Sequence, residues 1–249
     1  MAFFSKRTRQ FTYFANQLGD PMWQGKDVLD FGGNIGNMLR DPNSTIDVER
    51  YWCIDVDNDA LAIGRSSYPQ AHWLWYNRYC FFFNPLGLHH VKLPAISQRF
   101  DYIVAYSVFP NTLATDMLEL VDQLLPLLKS EGKLAFTFID PYHRSWPHWY
   151  DGDNFLYRLE KVRVEENPFI DIDTTANKAR NAKWFALVNG KDLYVETENI
   201  QPCAPEQHVS CYMFYTVDYM KQLFPSATIL PPANNEMQHC CILGAGSHV

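Results

Sequence analysis

The sequence predicts an α/β domain: a mostly parallel sheet between helices, with an inserted cap region. Three observations carry this. Strand-like and helix-like segments alternate through the first 140 residues, which implies right-handed crossovers and parallel strands. A glycine-rich turn, "VLDFGGNIGNMLR" (28–40), joins a buried strand to the start of a helix. The chain has 249 residues, 47% of them hydrophobic, enough for one large core rather than two independent domains.

The elements follow in order. "TRQFTYFANQL" (8–18) places Phe11, Phe14 and Leu18 at helical spacing, and "GDPMWQGK" breaks that helix. Then come "DVLDFG" (strand), "IGNMLR" (short helix), "RYWCIDV" (strand), "NDALAIGRSSY" (helix) and "HWLWY" (strand). After a loop, "FDYIVAYSVF" is a strand, "ATDMLELVDQLLPLLKSEG" a helix and "KLAFTFID" a strand. Pro126 kinks or ends the regular part of that helix, and Gly132 serves as its cap or turn residue. Between 141 and 210 the alternation lapses: "DNFLYRLEKVRVEE" reads as helical, and "KWFALVNGKDLYVETE" as a hairpin around Asn189-Gly190. The helix "TVDYMKQLF" and the strands "ATIL" and "MQHCCIL" close the chain. The expected organisation is an N-terminal helical lid (1–24), a core (25–140), a cap insertion (141–210) and a closing helix with strands (211–249).

Composition excludes several classes. No secretory signal opens the chain and no apolar run approaches the ~18 residues of a membrane span. The net charge of −7 disfavours a phosphate-backbone partner, and the basic run "SKRTRQ" reads as a solvated helix end. The six cysteines (53, 80, 203, 211, 240, 241) form no CxxC pair. They read as buried thiols in a reducing cytoplasm, and no zinc site is expected.

The glycine turn narrows the ligand. Dinucleotide binding needs G-x-G-x-x-G, which neither alignment of Gly32, Gly33 and Gly36 supplies. A phosphate-binding P-loop is excluded because no Gly-Lys-Ser/Thr follows. What remains is an acid at the strand end, Asp30, before Gly32, Gly33 and Gly36. An anion there suits a ligand with a cationic end.

"VLDFGGNIG" resembles the first motif of the class I S-adenosylmethionine (SAM)-dependent methyltransferases. The resemblance implies that Asp30 and the turn Gly32, Gly33, Asn34 and Gly36 line the methionine end of the cofactor. Asn34 stands where the family usually has its middle glycine, and asparagine tolerates a left-handed backbone. "YWCIDVDND" ends a strand on Asp55, whose carboxylate is placed to accept from both ribose hydroxyls; Val56 follows it. Asp57 reads as the cap of the next helix. Asn77 occupies the position of an adenine-contacting acid, with Arg78 beside it. "FDYIVAYSVF" matches the fourth motif and sets Tyr106 and Ser107 next to the cofactor; "LLKSEGKLAFTFID" matches the fifth. The fold so implied is a seven-stranded Rossmann-like methyltransferase sheet with its last strand antiparallel.

Methyl transfer is an in-line displacement served by alignment and exclusion of water, and it needs a base only if the acceptor has a proton to lose. His143, in "IDPYHRSWPHW" beyond the fifth strand, is the candidate base, with Asp140 either orienting it or capping the loop. The aromatic run "HWLWYNRYCFFF" walls a pocket or packs the core around the third strand, core being the commoner outcome. The Asn/Asp-Pro-Pro-Tyr motif of DNA-base methylation is absent, since "SVFPNT" stands there. The expected function is methyl transfer from SAM to a small, aromatic or hydrophobic metabolite, with neither nucleic acid nor membrane as partner. Its rivals are a non-catalytic binding or assembly protein on the same fold, and an aminopropyl transferase.

Overall fold

The computed structural model describes residues 9–80, 83–143, 159–162, 184–189, 192–196, 210–233 and 237–247. Its main sheet has seven strands: β1 (Val28–Phe31), β2 (Tyr51–Asp55), β3 (His72–Trp75), β4 (Phe100–Ala105), β5 (Leu128–Phe138), β10 (Thr228–Leu230) and β11 (His239–Gly244). The spatial order is β10-β11-β5-β4-β1-β2-β3. β1 to β5 are mutually parallel, and β11 runs antiparallel to both β5 and β10. The chain builds outward from β1 through β2 to β3, then returns to place β4 on the other side of β1. That reversal opens a crevice at the carboxyl ends of β1 and β4, where open α/β sheets bind ligands.

Side-chain alternation sorts two apolar layers, since successive residues of a strand face opposite ways. On one face Val28, Tyr51, Cys53, Trp73, Val104, Ala135 and Cys240 pack beneath α1 (Gln10–Gln17), α2 (Asn37–Arg40) and α3 (Asn58–Ser67). On the other, Leu29, Phe31, Ile54, Ile103, Phe136 and Cys241 meet α4 (Ala114–Leu124) and α5 (Val217–Leu223). Phe14 of α1 and Phe224 after α5 are fully buried, each contributing roughly 1.5–3 kcal/mol through apolar area removed from water. At the amino ends of the strands Lys129 Nζ lies 2.7 Å from Asp27 and 2.6 Å from Asp101, tying β5 to β1 and β4. Among the described residues no helix is long and apolar enough to cross a membrane.

Local chemistry explains most boundaries. Asp57 caps α3, accepting the Ala60 N–H at 2.9 Å, as its position before the helix predicts. Pro126 falls in a 3₁₀ turn (Leu125–Leu127), and β5 begins directly after it. Gly132 therefore sits inside β5 rather than capping the helix. β4 stops at Ala105 rather than continuing to Phe109, because Ser107 turns left-handed (φ 59°) and Phe109–Asn111 forms a 3₁₀ turn.

The region that breaks the alternation contains a second sheet, ordered β6 (Leu159–Val162), β8 (Asp192–Glu196), β7 (Trp184–Val188) and β9 (Ser210–Phe214). β7 and β8 form the expected hairpin, with Val188 opposite Asp192 and Asn189 left-handed (φ 54°); Gly190 lies outside the described residues. The helix expected over 153–166 is contradicted at its centre, where Leu159–Val162 pairs antiparallel with β8. An available strand edge outweighs local helix propensity there. α1 packs across one sheet face, and its Tyr13 and Phe14 rings meet Tyr106 beyond β4 at 5.2 and 6.2 Å. Lys6 and Arg7 of the basic run lie outside the described residues.

Candidate functional site

The glycine turn follows β1 at the topological reversal. Gly32, Asn34 and Gly36 all have positive φ (77°, 54° and 87°), so the asparagine adopts the backbone its position demands. Two consecutive residues of β2 hold the turn. The Gly32 N–H donates to the Ile54 carbonyl of β2 at 2.7 Å, and the Asn34 N–H donates to Asp55 Oδ2 at 2.7 Å. Asp55 Oδ1 accepts the Asp57 N–H at 2.8 Å. One carboxylate thus joins the turn after β1 to the turn after β2. Burial raises the pKa of Asp55, while the Asp57 and Asn34 N–H groups oppose that.

Asp30 occupies a different place from the one expected of it. Parity on β1 sends its side chain to the face that carries Val28, and it is 1% exposed. Oδ2 accepts the Tyr51 hydroxyl at 2.6 Å, and Oδ1 has no hydrogen-bond partner among the described residues. A Cβ on Gly33 would stand 2.6 Å from this carboxyl and 2.8 Å from Cys53 Sγ. Glycine is required there because the turn rests directly on Asp30. Burial pushes the Asp30 pKa up to about 7, with the Tyr51 hydrogen bond acting against the shift. Asp30 therefore supports the turn from below instead of presenting a charge to an open surface.

The other predicted positions divide. Tyr106 and Ser107 follow β4 across the crevice from the turn. The Ser107 N–H donates to Thr137 Oγ1 at 2.7 Å, Thr137 donates to Gln238 Oε1 at 2.5 Å, and Tyr13 donates to the Gln238 carbonyl at 3.0 Å. This chain fixes the backbone beside the crevice through β5, β11 and α1. Val56 follows Asp55 and its carbonyl accepts from Trp75 Nε1 at 3.1 Å. Asn77 is half-buried, and its Oδ1 accepts from Asn84 at 3.1 Å.

Arg78 does not join the group. Its guanidinium is turned to α4, at 2.7 Å from Asp116 and 3.0 Å from both Glu119 oxygens, with Tyr76 Oη at 3.2 Å. It clamps the loop after β3 to α4 because a 6%-exposed cation must be paired. His90 also approaches Asp116 and Glu119, both of which are ion-paired with Arg78. In the aromatic run, Trp73 and Tyr76 are core, whereas Trp75 and Phe83 are each 46% exposed.

Beyond β5, Asp140 is 9% exposed and its oxygens accept the Tyr142 and Val217 N–H groups, both at 2.9 Å. It caps the loop and receives the start of α5. The Asp140 carbonyl accepts the His143 N–H at 3.3 Å. His143 lies edge-on to His239, a buried histidine that the sequence pattern hid inside the apolar strand "MQHCCIL". Tyr51 was hidden likewise; strand parity with Asp30 is the signal that finds it.

Strand order, the antiparallel last strand and the turn at the reversal together decide the architecture. The fold is that of the class I SAM-dependent methyltransferases. A SAM-dependent methyltransferase from Clostridium acetobutylicum aligns with a TM-score of 0.51 at 11% identity, over 96% of this chain and 91% of its own. Streptomyces venezuelae DesVI aligns at 0.53 and 11%, over 96% and 92%. A glycopeptide N-methyltransferase complexed with sinefungin aligns at 0.51 and 11%, over 94% and 92%. No family model and no curated protein matches the sequence.

Proposed function

We propose that the chain is a SAM-dependent methyltransferase acting on a small aromatic or hydrophobic metabolite. The observation that carries this is the left-handed Gly32–Gly36 turn held by Asp55 at the reversal point of the sheet. The residues fit the cofactor. Each Asp55 oxygen accepts one backbone N–H and keeps a lone pair for a ribose hydroxyl. The turn Gly32, Gly33, Asn34 and Gly36 offers close backbone approach to the methionine end, with Asp30 setting its shape from beneath. Tyr106 and Ser107 face the crevice from β4, Val56 borders the ribose, and Asn77 marks the adenine end. SAM brings an electrophilic methyl group on a sulfonium. The chain's part is to align the acceptor, exclude water and, where the acceptor is a hydroxyl or acidic carbon, take its proton on His143.

We read residues 1–24 as the lid and 141–210 as the cap of the acceptor pocket. Tyr13 and Phe14 support this by meeting Tyr106 at the crevice. The test is calorimetric titration with S-adenosylhomocysteine, followed by mass spectrometry of extract incubated with methyl-labelled SAM. Heat and a labelled small molecule are expected. Absence of heat makes the chain a cofactor-free binding protein on this fold, and tighter binding of decarboxylated SAM makes it an aminopropyl transferase.

A further inference from the structure

β11 runs antiparallel to β5, so it begins at the edge of the sheet where β5 and β4 end. One polar chain crosses all three strands there. The Ser107 N–H occupies Thr137 Oγ1 at 2.7 Å, so the Thr137 proton goes to Gln238, whose Oε1 accepts it at 2.5 Å. That bond settles the amide's orientation: its oxygen faces Thr137, and Nε2 with its two N–H groups is turned away from that hydroxyl. Gln238 is 8% exposed, and its Nε2 has no hydrogen-bond partner among the described residues. An amide donor so enclosed is costly unless something accepts from it. The surroundings indicate what does. Tyr13 donates to the Gln238 carbonyl at 3.0 Å and meets the Tyr106 ring edge-on at 5.2 Å, so the amide lies at an aromatic corner beyond β4. β11 stands three places from β1 in the sheet, roughly 14 Å at ~4.8 Å per strand, and four from β2. The glycine turn and Asp55 lie at β1 and β2, which puts Gln238 on the acceptor's side of the crevice.

Building on the methyltransferase reading, we propose that Gln238 binds the methyl acceptor, its Nε2 donating to a carbonyl or carboxylate oxygen of an aromatic substrate. Nε2 carries donors and no lone pair, so it selects a group that accepts and disfavours an ammonium or a second amide N–H. The Thr137 bond holds the amide in one orientation, which builds the discrimination into the site. A substrate without the oxygen leaves both N–H groups unmet in a largely buried place, and polar sites reject such analogues strongly. The Tyr13 hydroxyl ties the same residue to α1, so the aromatic corner and the donor are held as one unit.

The experiment incubates methyl-labelled SAM and cell extract with the full chain and with Gln238→Glu, over a dilution series of the extract. Labelled product is measured by mass spectrometry, and S-adenosylhomocysteine binding by calorimetry. Gln238→Glu keeps an oxygen for Thr137 and removes both donors; even a carboxyl raised by about three pH units is ionised at the assay pH of about 8.5. The variant is expected to need about tenfold more concentrated extract for half-maximal labelling, the scale of one lost hydrogen bond. Its S-adenosylhomocysteine heat is expected to match the wild type, and the wild-type product to contain a carbonyl or carboxylate oxygen. Unmoved half-saturation in Gln238→Glu overturns the proposal. So does a folded variant that loses cofactor heat along with labelling, which would put Gln238 at the cofactor. A wild-type product with neither oxygen group also overturns it, a result that stands even if the variant fails to fold. Wild-type protein giving neither heat nor labelled product overturns the methyltransferase reading and this proposal together. Heat and product with unmoved half-saturation overturn the assignment of Gln238 alone.

Discussion

Asp30 makes the stability of this protein depend on pH in an unusual direction. Its carboxyl is sealed beneath the glycine turn, and burial raises its pKa from the ordinary 3.8 to about 7. A carboxyl raised on folding carries more protons in the native than in the unfolded state between those values. Stability therefore falls as pH rises through that window and levels off above about 7. An interval of about three pH units at ~1.4 kcal/mol each sets the full cost of ionising Asp30 near ~4 kcal/mol. About half of it, ~2 kcal/mol, is incurred between roughly pH 5.5 and pH 8.5. Asp30→Asn keeps an oxygen for the Tyr51 hydroxyl and removes the titration. The assay is urea unfolding of both proteins at those two pH values, because their difference cancels every other titrating group. The variant is expected to gain ~2 kcal/mol on the wild type at the higher pH, whatever its absolute stability. A difference that stays constant with pH, or moves the other way, refutes the account of Asp30 as a buried support.

Two further substitutions separate ligand-facing from structural residues. Asp55→Ala is expected to weaken S-adenosylhomocysteine binding by ~1.5–3 kcal/mol, the scale of a charged hydrogen bond; unchanged heat in a folded variant would displace the ribose from Asp55. Arg78→Met should lower unfolding stability by ~2–4 kcal/mol, because it leaves Asp116 and Glu119 without their cation, while cofactor affinity measured by calorimetry stays within about threefold.

Much of this molecule is written in local pattern. Alternating apolar segments give the five parallel strands, and the positions of Asp57, Pro126 and Asn189 fix a cap, a helix end and a hairpin turn. Each depends on chemistry within a few residues. The turn after β1 is legible for the same reason, since glycine and asparagine are the residues that take positive φ cheaply. What only the tertiary structure decides is where a side chain spends its hydrogen bonds. Asp30 reads as a ligand-facing charge until strand pairing puts Tyr51 beside it and Gly33 on top of it. Arg78 reads as a neighbour of the adenine site until α4, some forty residues on, presents two carboxylates. Leu159–Val162 reads as helix until β8 offers an edge, and His239 is one polar letter in an apolar strand until β5 brings His143 against it. In each case the deciding partner is distant in the chain. Burial then makes an unmet polar group or an unpaired charge so costly that the distant contact overrides the local preference.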